Sequence, residues 1–156
     1  MEETNTSSLP IEGKFYNIRV HGGVSTARLL LSCQDDTIVN SDIENHSCDR
    51  QMWEFIPVAG SNDLFNIKTR ARTIKDNRYY LSCRADGYVD VFFETDGSGR
   101  QTWRLIQLED GSFNIKVSDG TGGKVFLNCS ETGELVDLAY KDDRSGRQRW
   151  DFAAEQ

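Results

Sequence analysis

The sequence predicts an all-β fold assembled from three tandem copies of one four-stranded unit, and three recurring landmarks carry that prediction. Tyr16-Asn17-Ile18-Arg19, Phe65-Asn66-Ile67-Lys68 and Phe113-Asn114-Ile115-Lys116 repeat one tetrapeptide, aromatic-Asn-Ile-basic. Leu31-Ser32-Cys33, Leu81-Ser82-Cys83 and Leu127-Asn128-Cys129 form a second set. Arg50-Gln51-Met52-Trp53, Arg100-Gln101-Thr102-Trp103 and Arg147-Gln148-Arg149-Trp150 form the third. The tryptophans stand 50 and 47 residues apart and the landmark cysteines 50 and 46, so the sets stay in register twice. Self-similarity at such a period marks a repeat architecture.

The second unit shows its elements most clearly. Phe65-Asn66-Ile67-Lys68 alternates apolar and polar residues at period two, as a half-buried strand does. Tyr79–Cys83 is the next strand, and Asp86-Gly87 gives a hairpin turn. Tyr88–Phe93, rich in β-branched and aromatic residues, is the third strand. Asp96-Gly97-Ser98-Gly99 reads as a loop before a fourth strand over Gln101–Ile106. Four strands in three units make about 12 strands, with no helical period in the chain. A β-propeller needs more blades than three. Three such units instead close as a barrel capped by hairpins, which removes exposed strand edges. The expected fold is therefore a single β-trefoil domain over residues 11–156, with lobes at about 11–60, 61–108 and 109–156 and a disordered lead-in over 1–10.

Composition narrows the function classes. The formal net charge is −7 and the pI about 4.8. Lys and Arg do not pool into a stripe that would neutralise phosphates, so nucleic acid is not an expected partner. No run approaches the roughly 18 apolar residues of a membrane span. The acidic N-terminus, Met1–Ser8, lacks the features of a signal peptide, which points to the cytoplasm and leaves non-classical secretion open. In a reducing compartment Cys33, Cys48, Cys83 and Cys129 are free thiols, with Cys33–Cys48 the only local disulfide worth considering. There is no Cys-x-x-Cys pair, and the only histidines are His21 and His46, so neither a metal nor a cofactor is expected. The Asn-x-Ser triplets at Asn5, Asn45 and Asn128 are idle in a cytosolic protein.

Each landmark has a structural explanation. A Trp in one register of all three units fills the core, and the landmark cysteines pack beside it as small apolar groups. Cys48 stands outside the repeat. Asp119-Gly120-Thr121-Gly122-Gly123-Lys124 lacks the spacing, the hydroxyl residue and the helix of a phosphate loop, and reads as a hairpin turn. There is no Gly-x-Ser-x-Gly elbow. Neither histidine recurs, and no carboxylate pair stands out for glycoside hydrolysis. The expectation is binding, not catalysis.

Three units that each end in Gln-x-Trp resemble the ricin B-type β-trefoil lectins over residues 12 to about 153. The resemblance implies carbohydrate binding, with up to one shallow pocket per lobe: an early acidic residue, an aromatic platform, and a polar residue near Gln-x-Trp. The chain departs from that pattern. Cysteine or its neighbours occupy the early acid position, with Asp36, Asp86 and Glu131 nearby, and Arg50, Arg100 and Arg147 precede Gln where the family often has Asn. No galactose preference is carried over. Asn40, Asp90 and Asp137 share one register, opposite the face of Val39, Val89 and Val136. Phe92, Phe93 and Tyr140 are candidate platforms, and Asp96 and Asp142 precede Arg100 and Arg147. The first lobe offers only Ile43 as a large residue there and is expected to be the weakest site. The competing explanation is that the repeated Asp and Arg pair within each lobe and hold its loop. The expected partners are glycans or glycoconjugates bound multivalently, with homo-oligomerisation left open. Trefoils with similar cores also bind proteins, as inhibitors or actin-bundling modules, and that is the alternative.

Overall fold

The structure, a computed structural model, describes residues 9–34, 36–45, 48–71 and 77–155. Most of the lead-in expected over 1–10 lies outside the described residues, as does His46; Leu9 packs against the core and Pro10 is buried. Twelve strands run through the described residues. They are β1 (Phe15–Val20), β2 (Arg28–Cys33), β3 (Val39–Ile43), β4 (Trp53–Pro57), β5 (Leu64–Thr69), β6 (Tyr80–Cys83), β7 (Val89–Phe92), β8 (Trp103–Gln107), β9 (Phe113–Thr121), β10 (Lys124–Cys129), β11 (Val136–Ala139) and β12 (Trp150–Ala154). No helix among them is long and apolar enough to cross a membrane.

Antiparallel pairing runs β1–β4–β5–β8–β9–β12 and returns from β12 to β1, which closes a six-stranded barrel. The hairpins β2–β3, β6–β7 and β10–β11 attach to β1, β5 and β9 and cap one end. This is the β-trefoil that the repeat predicts. β8 starts at Trp103, two residues after the expected Gln101, because the Gln101 side chain and carbonyl bind outside the ladder. Thr121 and Lys124 pair across Gly122-Gly123, at φ 58° and 86°, so the glycine-rich run is a tight hairpin.

The landmarks hold this frame together. Trp53, Trp103 and Trp150 are fully buried. Their indole N–H groups donate to the carbonyls of Leu31, Leu81 and Leu127 at 3.0, 2.9 and 3.1 Å. A buried indole needs such an acceptor, and this one ties each barrel strand to its own cap hairpin. Cys33, Cys83 and Cys129 are buried beside these leucines, and all four cysteines are free, so Cys33–Cys48 forms no disulfide. Asn17, Asn66 and Asn114 donate through Nδ2 to the carbonyls of Gln51, Gln101 and Gln148 at 2.8, 2.7 and 2.9 Å. Ile18, Ile67 and Ile115 next to them fill the barrel, where Phe55 packs edge-on to Tyr16 and Phe65 and Phe113 stacks on Phe152.

The hairpin tips close the three-fold cap. Val91 N–H donates to Thr37, Leu138 to Gly87 and Ser41 to Gly133, each at 3.1 Å, so every lobe holds the next. These three acceptors share a left-handed backbone, with φ of 77°, 87° and 84°. Gly fits that region freely, whereas a β-branched residue is strained there. Replacing Thr37→Gly is expected to stabilise the protein by about 0.5–1 kcal/mol, the relief of strain outweighing the added chain entropy. Equilibrium urea unfolding checks this, with a shifted midpoint and an unchanged slope.

Candidate functional site

Lobes 1 and 2 each leave a recess between the cap hairpin and the loop that precedes Gln-x-Trp. The glutamine builds it. In lobe 2, Gln101 Oε1 accepts from Asp96 N–H at 3.1 Å while Nε2 donates to Ser82 Oγ at 3.0 Å. Lobe 3 repeats this, with Gln148 between Asp143 N–H and Asn128 Oδ1. In lobe 1, Gln51 accepts from Asn45 N–H and donates to the Ile43 carbonyl. The lobe-1 donor lies six positions before its glutamine instead of five, and the loop ends in a 3-10 turn, Asp49–Gln51.

Alternation along the third strand acts as the sequence implied. Val39, Val89 and Val136 are buried, and Asn40, Asp90 and Asp137 are half-buried on the other face. Their surroundings differ. Asn40 Oδ1 accepts from Gln34 Nε2 at 2.9 Å, and Asp137 Oδ1 accepts from Asn128 Nδ2 at 2.8 Å. Opposite Asp90 stands Ser82, whose hydroxyl accepts from Gln101 and points its proton at the Cys83 carbonyl. Burial accordingly raises the Asp90 pKa from 3.8 to about 6, against the opposing pull of Arg84 and Arg78.

Lobe 2 brings four expected residues together. Asp90, Phe92, Asp96 and Arg100 line one cavity of about 250 Å³ with Arg78, Ser82, Arg84 and Gln101. Phe93 is not part of that lining; its ring stacks on Phe92 at 4.5 Å. The Arg78 guanidinium lies over both rings, 5.6 Å from Phe92 and 5.3 Å from Phe93. Asp96 Oδ1 accepts from Ser98 N–H at 2.9 Å, which holds the loop, and hydrogen bonding by the Ser98 hydroxyl first and its N–H second lowers the Asp96 pKa. Sequence reasoning missed Ser82, Arg78 and Arg84. Ser82 was legible as the middle residue of a landmark, whereas the two arginines occur in one lobe and leave no repeated signal.

Lobe 3 disperses its candidates. Asp143, not Asp142, matches Asp96, because Asp143 holds both the Gln148 bond and the Ser145 N–H. Asp142 belongs to the frame: its carboxylate accepts from Asn114 Nδ2, Arg149 Nε and Arg144 N–H at 3.0, 2.8 and 2.8 Å. Arg147 reaches across to the Gly23 carbonyl at 3.4 Å. Tyr140 is exposed, with Lys124 Nζ 5.3 Å above its ring. The pairing of Asp and Arg that competed with a binding role thus holds for Asp142, whose partner is Arg149 and not the expected Arg147.

Lobe 1, expected to be weakest, has a wider recess than lobe 2, about 710 Å³, lined by Gln34, Asp42, Ile43, Glu44, Cys48 and Arg50 among others. Asn40 is not in its lining. Asp36 and Asp86 accept from the N–H of Ile38 and Tyr88, both at 3.1 Å, and so shape hairpin turns; Thr132 takes that place in lobe 3, not Glu131. Among the described residues, no group of three His, Cys, Asp or Glu side chains is placed to hold a metal ion.

No protein-family profile and no curated protein matches the chain. Solved structures do. The BEL β-trefoil is 18% identical, and the match covers 97% of this chain and 99% of that one at a TM-score of 0.68. The Polyporus squamosus lectin, solved with the epitope Neu5Acα2-6Galβ1-4GlcNAc, is 18% identical over 91% of this chain and 49% of its own, at 0.64. Cry35Ab1 is 17% identical over 94% of this chain at 0.68, and this chain spans only 37% of its length. At these identities the likeness shows the fold, and trefoils that include lectins share it.

Two variants separate binding groups from frame. Folding raises the Asp90 pKa, so its contribution is most favourable below 3.8 and is lost as pH rises through about 6. Asp90→Asn is therefore expected to stabilise the protein at pH 7 by on the order of 1–2 kcal/mol and to leave it nearly unchanged at pH 4. Asp142→Ala is expected to destabilise by about 1.5–3 kcal/mol, since it strips charge-assisted bonds from Arg149 and Asn114. Denaturant midpoints at the two pH values check both.

Proposed function

We propose that the protein is a carbohydrate-binding protein, with lobe 2 as its principal site and the other lobes as weaker, chemically distinct ones. The lobe-2 cavity carries the reading: a half-buried carboxylate, an aromatic face and an arginine line one recess built by the Gln-x-Trp glutamine. A sugar presents an apolar face to a ring and hydroxyls to charged hydrogen-bonding groups, and a shallow recess with that lining serves both. Asp90 supports it further. A carboxylate held where burial disfavours its charge costs stability, and such groups cluster at functional sites. The fold shared with lectins is consistent with this, and weak sites on one body gain from avidity on clustered glycans. The proposal is of binding, not catalysis, in a reducing cytosolic setting suited to four free thiols, with neither nucleic acid nor cofactor involved.

One observation favours the alternative, a trefoil that binds a protein. Ile38, Tyr88 and Leu135 occupy equivalent places at the start of the third strands, 38%, 44% and 37% exposed, on the cap where the hairpin tips meet. Exposed apolar side chains grouped by symmetry suit a protein contact.

A glycan array probed with the labelled protein, followed by titration of the best hit, separates the two. Saturable binding to a related group of glycans is expected. Asp90→Ala and Phe92→Ala should each weaken it about 10-fold or more without loss of the folded circular dichroism spectrum. A blank array from folded protein, or full affinity in both variants, overturns the assignment and leaves the protein-binding alternative.

A further inference from the structure

We propose that the lobe-2 cavity selects sugars that carry a carboxylate, with Arg84 and Arg100 receiving the acid group while Phe92 meets the ring; this rests on the carbohydrate-binding reading above. The first argument is local charge. The chain carries −7 overall, yet three arginines and two aspartates line this cavity. The lobe-1 recess has the opposite balance, with Arg50 against Asp42 and Glu44. Divergence at one register produces part of this reversal: the residue after the landmark cysteine is Gln34 in lobe 1, Arg84 in lobe 2 and Ser130 in lobe 3.

The second argument is the chemistry of the guanidinium. Its planar fork matches the two oxygens of a carboxylate, a geometry that no neutral hydroxymethyl group offers. Arg84 already shows the preference, holding the carboxylate of Asp86 at 3.0 Å. Both partners of that pair are close to half exposed, and an ion pair so exposed to water contributes little, so a ligand acid can replace Asp86 at small cost. Arg78, lying over Phe92, places a further cation beside the ring that the sugar would meet.

The charged groups around the ligand set the pH response. Arg78, Arg84 and Arg100 stay cationic, and Asp96 stays ionised because Ser98 stabilises its charge. The Cys83 thiol, pushed up to about 11 by burial, stays neutral. Asp86 lies beyond Arg84, its carboxylate paired with that arginine. Asp90, inside the cavity and pushed up by burial, changes charge near 6. Its protonation removes a repulsion and supplies a donor, so a sugar acid should bind better as pH falls from about 7.5 to about 5.5. A neutral sugar that donates a hydroxyl to Asp90 should do the reverse.

The test is calorimetric titration of the full chain with matched methyl glycosides differing only at C6, glucuronide against glucoside and galacturonide against galactoside. In at least one pair the acid is expected to bind about fivefold or more tightly, with the advantage shrinking between about 50 mM and 500 mM salt and growing towards pH 5.5. The double variant Arg84→Gln/Arg100→Gln should bind both members alike. Its fold should persist, because the main-chain carbonyl of Arg100, not its side chain, binds Cys83 N–H. Equal binding by the wild type, or a preference that survives the double variant, overturns the proposal. If both members bind equally and Asp90→Ala abolishes binding, the carbohydrate reading stands and only the acid preference falls. If no member of either pair binds, both fall.

Discussion

A glutamine and a tryptophan two residues apart do most to fix this molecule. A buried indole N–H must find an acceptor, and in each lobe it finds the carbonyl of the leucine in the cap hairpin. The glutamine is also buried, and its amide ties the preceding loop to that hairpin or to the strand beside it. Its main-chain carbonyl in turn takes the Asn of the aromatic-Asn-Ile-basic strand. Barrel, hairpin and loop in each lobe therefore meet at one short segment. The recess between hairpin and loop follows from it, because Gln101 both sets the distance between the walls and forms part of the lining.

This frame leaves the walls free to vary. Ser82, Asn128 and Ser32 occupy one register, yet only Asn128 gives its proton to the carboxylate opposite. Asp137 is satisfied within its own lobe, while Asp90, facing a serine engaged elsewhere, has a pKa raised by burial. A single small change on one strand thus separates a carboxylate bonded within its own lobe from one whose charge burial disfavours. The arginines add a second layer of divergence. Arg149 is drawn into a frame pairing with Asp142 and Asp110, and Arg147 spans to the first lobe. Arg100 lines a cavity.

Lobe-to-lobe contact obeys the same economy. Each hairpin tip offers one carbonyl to the next lobe, and the cycle closes only because all three tips hold a left-handed residue. Two tips use glycine; the first uses Thr37, and nothing in its surroundings explains that choice. The tips also bring Ile38, Tyr88 and Leu135 to one end of the molecule, three side chains that are unremarkable singly and form a group only through the symmetry.

The sequence by itself determined the repeat, the all-β class, the trefoil closure and the burial of the landmark Trp, Cys and Ile residues, because period-two alternation and fixed spacing are local properties of a chain. It also placed Asn40, Asp90 and Asp137 on the outward face, since a strand turns its side chains by a fixed rule. Tertiary structure decided which of those positions keep company. Asp142 and Asp143 are neighbours in the chain, and only the reach of Asn114 from β9 and of Arg149 beside β12 shows that Asp142 joins the barrel frame while Asp143 holds its own loop. Arg78 and Arg84 join Asp90 and Arg100 because the hairpin folds over the loop. Contacts between segments far apart in sequence depend on side-chain direction and on what each group has already bonded, and neither is written in the spacing of residues.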